Sequence, residues 1–141
     1  MKEVKEIGFR VRTSFIFDLP TTTKEDMQKT INFILETEPD EIRGHFLALR
    51  LGTTIYNKLA KEKAIPTQYI HSDKPLIENE KYTNSEMLQD IETLISKLKD
   101  KEYKIVKNVK EWENLESLRN KEGKIKFLSF CPSKYGIDWE K

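Results

Sequence analysis

From Phe9 to Phe17 the side chains alternate, with Val11, Thr13, Phe15 and Phe17 on one face and Arg12, Ser14 and Ile16 on the other. A period of two, rich in β-branched and aromatic residues, predicts a strand. Leu19-Pro20 breaks it, and Thr22-Thr23-Lys24-Glu25 then offers a capping box, a hydroxyl for an orphan amide with a carboxylate following at the right spacing. Met27, Ile31, Ile34 and Leu35 recur at helical spacing and predict an amphipathic helix over 23–36, closed by Glu38-Pro39-Asp40. A second strand is predicted over 41–49. Ile42, Gly44, Phe46 and Ala48 share one face, and Arg43, His45, Leu47 and Leu49 the other. Strand, helix, strand at these lengths predicts a parallel, right-handed βαβ unit.

Beyond Thr54 the pattern changes. Ile55 to Lys63 predicts a short helix, and 64–82, with Pro66 and Pro75, reads as a long loop that wraps a surface or lines a site. Thr83-Asn84-Ser85-Glu86 is a second capping box. Met87, Ile91, Leu94, Ile95 and Leu98 give the best-formed helical stripe in the chain, over 84–99. Tyr103 to Val106 predicts a short strand, Trp112, Leu115 and Leu118 a further helix, and Ile125 to Phe130 a last strand. There is no internal repeat and no low-complexity segment. A soft boundary near residue 64 separates a βαβ region, 1–63, from an α+β extension, 64–141, whose role the sequence does not give.

Composition narrows the class. The chain has 141 residues, 37% hydrophobic and 35% charged, enough for a modest core under a heavily solvated surface. Twenty-five basic and 24 acidic residues leave no global field that argues for nucleic acid. The lone Cys131 excludes an intramolecular disulfide and fits a reducing, cytoplasmic compartment. The first residues are too charged for a signal peptide, and no apolar run approaches the ~20 residues of a membrane span.

Two stretches carry a family resemblance. Ser14-Phe-Ile-Phe-Asp-Leu-Pro-Thr-Thr-Thr23-Lys-Glu-Asp26, followed by Lys29-Thr30-Ile31, is similar to the F-x-x-G-L-P-G-E-T-x-E-D…K-T stretch of radical S-adenosylmethionine enzymes. Leu49-Arg-Leu-Gly-Thr-Thr54 resembles the P-G-T stretch that follows the next strand in that superfamily. The resemblance covers roughly residues 1–60. It implies an α/β fold in which this region is the last two strand–helix units of a partial (β/α) barrel, followed by the α+β extension. In a barrel one strand face looks into the lumen, so Arg12, Ser14, Ile16 and Asp18, with Arg43 and His45, would line a polar cavity. The other reading is a strand with one face in water.

The resemblance further implies that the first strand and its loop touch S-adenosylmethionine. The implied cofactor-binding positions are Ser14, Ile16, Asp18, Leu49, Leu51 and Gly52, with Ile16 and Leu49 near adenine and Leu51 and Gly52 at the mouth. Of the family's G-x-I-x-G pattern, Ile16 alone matches; both glycine positions differ, and Asp18 stands at one of them. The chemistry needs three cysteine thiolates to hold a 4Fe–4S cluster, leaving one iron for the cofactor, and this chain has one cysteine. The expectation is therefore a fragment of an oxidoreductase or methyltransferase of that type, inactive alone and binding neither cluster nor cofactor tightly. It would depend on a missing N-terminal barrel half or on self-association. The alternative is a non-enzymatic α/β interaction domain.

Other constellations are weaker. Cys131 with His45 or His71 has no nucleophile signature around it and reads as a buried apolar residue. His71-Ser-Asp73 has no recognised metal-ligand spacing. Trp112, Tyr135 and Trp139 lack the basic stripe that base stacking would need, so core packing is the reading. No phosphate-loop, dinucleotide or nucleophile-elbow motif is present. No catalytic and no metal-binding residue is assigned.

Overall fold

The computed structural model describes residues 1–62 and 79–130. A short helix α1 (Lys2–Glu6) leads into β1 (Arg12–Ile16), α2 (Lys24–Thr37), β2 (Glu41–His45) and α3 (Thr54–Glu62); α4 (Asn84–Asp100), β3 (Lys104–Val106), α5 (Val109–Glu122) and β4 (Phe127–Ser129) follow. The four strands form one parallel sheet in the order β1-β2-β4-β3. Strands from both sides of residue 64 therefore share a sheet, and β4 lies directly against β2.

The layers follow from that order. The steps from β1 to β2 and from β2 to β3 run one way across the sheet, and the step from β3 to β4 runs back. Crossovers of constant hand must then put their helices on opposite faces. They do: Met27, Ile31 and Ile34 of α2 and Ile91, Leu94 and Leu98 of α4 pack with Ile42 and Leu128 on one face. Trp112 and Leu115 of α5 pack with Val106 and Phe127 on the other. The result is an open, doubly wound sheet. Among the described residues it does not close, and α5 occupies the face that a barrel would turn to its lumen.

Local chemistry explains most of the element ends. The N-cap of α2 is Thr23, whose hydroxyl accepts the Asp26 N–H at 3.1 Å while the Asp26 carboxylate accepts the Thr23 N–H at 3.0 Å. The box lies one residue on from Thr22–Glu25 because the Thr22 N–H is already used in a turn to the Leu19 carbonyl. The Thr83–Glu86 box of α4 forms as its spacing predicts. α2 stops at Glu38, which is in the left-handed region at φ 43° with its N–H still donating to the Ile34 carbonyl. β2 is shorter than the predicted 41–49. Past His45 the chain of β1 turns away at Leu19-Pro20, and the Leu47 N–H is taken by the Asp18 side chain instead of a strand partner.

Gly44 sits against two rings. A Cβ there would come within 2.5 Å of the Phe130 ring and 2.8 Å of the Phe17 ring. Phe17 and Phe46 both pack against Phe130, with centroids 6.0 and 6.3 Å away. Tyr82, in the stretch read as loop, is fully buried, and its hydroxyl donates to Asp90. Of that loop, 64–78 lies outside the described residues, as do Cys131, His71, Asp73, Tyr135 and Trp139.

Candidate functional site

The sheet face beside α5 carries an unusual load of polar groups. Period two along β1 and β2 places Arg12, Ser14 and Ile16 beside Glu41, Arg43 and His45, and the register pairs Arg12 with Glu41, Ser14 with Arg43, and Ile16 with His45. β4 continues the rows: Glu41 is paired with Phe127, and Arg43 with Ser129. α5 lies over β4 and β3, so the β1 end of this face is open to solvent. Arg12, Ser14 and Ile16 are all exposed.

Glu41 is the centre of the cluster. Its side chain is 5% exposed, and its carboxylate accepts from Arg12 Nε at 2.7 Å and from an Arg119 terminal nitrogen at 3.3 Å. Arg10 Nε stands 3.7 Å away, while the other end of that guanidinium donates to the Ile125 carbonyl. A buried carboxylate needs such partners, since unpaired it would neutralise or destabilise the fold. Arg43 lies on the same face, two residues along the strand. Its guanidinium rests 5.7 Å from the Trp112 ring, and its Nε is buried with no hydrogen-bond partner. Among the described residues no carboxylate forms an ion pair with it. Burial first, and then the nearby guanidiniums of Arg12 and Arg119, lower its affinity for its proton, with Glu41 opposing.

The residues singled out from the sequence fare differently. Ser14 and Ile16 lie on this open face, Ile16 being 51% exposed. Asp18 is buried, and its carboxylate accepts the Leu47 N–H, so it ties the loop after β1 to the chain after β2. Leu49 is 1% exposed and packs with Leu47, Tyr56 and Leu59 under α3. Ile16, by contrast, is exposed. Leu51 is exposed, and Gly52 holds the turn into α3 at φ 81° with nothing near its Cα hydrogens. The larger cavity near the strand ends, about 880 Å³, is lined by Leu19, Pro20, Thr54, Ile55 and Lys58 among others, and by none of the six. Of the six, Ser14 and Ile16 share the open face, whereas Asp18 and Leu49 are buried.

Sequence reasoning placed Arg12, Ser14, Arg43 and His45 on one polar face and missed Glu41, Arg10 and Arg119. A signal for Glu41 existed, because it shares parity with Arg43 and His45 along the strand. Arg119 had none: it reaches Glu41 across 78 positions of sequence.

No family model, no curated protein and no solved structure matches the chain. Among the described residues no three His, Cys, Asp or Glu side chains are grouped to hold a metal ion. No helix among them is long and apolar enough to cross a membrane.

Proposed function

We propose that the chain is an association-dependent α/β domain built around the last two strand–helix units of a radical S-adenosylmethionine-type barrel. The observation that carries this reading is the open edge of β1. Among the described residues β1 pairs with β2 alone, and the apolar side chains around it lie exposed: Ile7 at 72%, Phe9 at 66%, Ile16 at 51% and Phe33 at 45%. In a barrel the preceding strand would cover that edge. The other sheet edge is blunted, because β3 is three residues long, begins with Lys104 and is followed by Lys107.

The chain's own residues do not fit the cluster or its cofactor. There is one cysteine where three thiolates are needed, Asp18 is committed to Leu47, and Leu49 belongs to the core. Radical chemistry would have to come from the covering partner. A second reading, a non-enzymatic interaction domain, is favoured by α5 lying over the face that a barrel encloses.

Anaerobic reconstitution with iron and sulfide, followed by calorimetry with S-adenosylmethionine, tests the assignment. The chain alone should take up no stoichiometric iron and bind the cofactor weakly at most. A brown protein with cluster absorbance, or micromolar binding, would overturn it. Genomic sequence just upstream separates the two readings: an in-frame C-x-x-x-C-x-x-C segment supports the barrel fragment, and its absence supports the interaction domain.

A further inference from the structure

We propose that the polar face of β1 and β2 beside α5 binds a phosphate group, free or as a monoester, between Arg43, Arg12 and Ser14. The inference does not depend on ancestry, and it concerns the face as the free chain presents it.

Charge is the first argument. Arg10, Arg12, Arg43 and Arg119 converge on a face whose described ion pairs involve one carboxylate, Glu41, which engages three of the four. Arg43 is the cation left over. It is half-buried, and its Nε hydrogen is buried with no acceptor. An ionised donor buried without an acceptor is the kind of orphan that native structures rarely keep without a use.

Geometry is the second. Arg43 is flanked in register by Ser14 on β1, and Arg12 stands one row away on the same face. Arg12 uses Nε on Glu41, and its side chain is 53% exposed. A guanidinium fork, a second guanidinium and a hydroxyl on one flat face are suited to the oxygens of a tetrahedral dianion. A phosphate carries about −1.5 to −2 at neutral pH, which matches an excess of more than one positive charge better than a carboxylate does. The solvent-open side at Ser14 and Ile16 leaves room for an ester substituent, while Trp112 closes the inner side under Arg43.

The test is calorimetric titration of the whole chain with inorganic phosphate, glycerol phosphate and acetate at constant ionic strength, with the Arg43 Nε–H signal followed by NMR. Phosphate should bind and shift that signal, and acetate should do so much more weakly. Tighter binding of the ester assigns the site to a phosphomonoester; tighter binding of inorganic phosphate assigns it to the free ion. Arg43→Met should weaken phosphate about tenfold or more, the loss expected for charge-assisted hydrogen bonds. Ser14→Ala, at an exposed position where folding is not in question, should weaken it several-fold and leave the circular dichroism unchanged. Equal response to acetate, no shift of the Arg43 signal, or full binding by both variants would overturn the proposal.

Discussion

Ser14 on β1 and Phe17 just after it are three residues apart and face opposite environments. Phe17 is 2% exposed between the rings of Phe15 and Phe130, whereas Ser14 is exposed on the polar face. Phe17→Ala should cost ~3–5 kcal/mol, the range for a buried aromatic deletion, and Ser14→Ala less than ~0.5 kcal/mol. Urea unfolding of the two variants checks this, and equal small effects would refute the face assignment. At Gly44 the limit is space. An added methyl would have to displace Phe130 and Phe17, so Gly44→Ala should cost ~1–3 kcal/mol, as overpacking does. A neutral Gly44→Ala would mean those rings can move aside. Alternation along β1 made the faces legible in the sequence. The Glu41 cluster was not, because its partners come from Arg10, Arg12 and Arg119, which no local pattern joins.

Elements with a strong local signal were readable and those set by tertiary contacts were less so. α4 carries both a capping box and an apolar stripe, and it appears within a residue of its predicted span. β2 lost its last residues to the bond between Asp18 and Leu47, which pattern alone cannot anticipate. Tyr82 was hidden in a loop-like stretch and is held by the core and by Asp90. The helix ends also set an acid response. Asp26 and Glu86 are held below their ordinary values chiefly by the capping bonds from Thr23 and Thr83, and Glu38 by its bond from Lys101. A carboxylate whose folded pKa lies below its unfolded value stabilises the fold above the unfolded pKa. That contribution disappears as pH falls through the folded one. Stability should thus be level near neutrality and decline as pH drops below the ordinary values of 3.8 to 4.5. In Glu38→Gln the decline should be shallower; denaturant titrations between neutral and acid pH would show it, and an identical slope would remove Glu38 from the account.

Across the whole molecule, the sheet is finished on one side and unfinished on the other. Strand order was not legible beforehand, since insertion of β4 between β2 and β3 depends on pairing across more than 80 positions. The free edge can be assigned group by group. Val11 accepts from Asp40 and Glu41, and the Phe17 N–H donates to His45, so the odd-numbered residues of β1 face β2. The N–H groups of Arg12, Ser14 and Ile16 therefore point outward. Burying side chains such as Phe9 and Ile16 against a partner contributes ~1.5–3 kcal/mol each, a large share of a typical fold's ~5–15 kcal/mol. Ser14→Pro removes an outward donor without touching the β2 ladder, and Ile16→Lys places a charge on the same edge. Sedimentation velocity over a wide concentration range tests the central claim most directly. The wild-type chain should self-associate as concentration rises, and both variants should stay monomeric with unchanged circular dichroism. A wild-type chain that stays a cooperatively unfolding monomer at high concentration, or association that survives both substitutions, would contradict it.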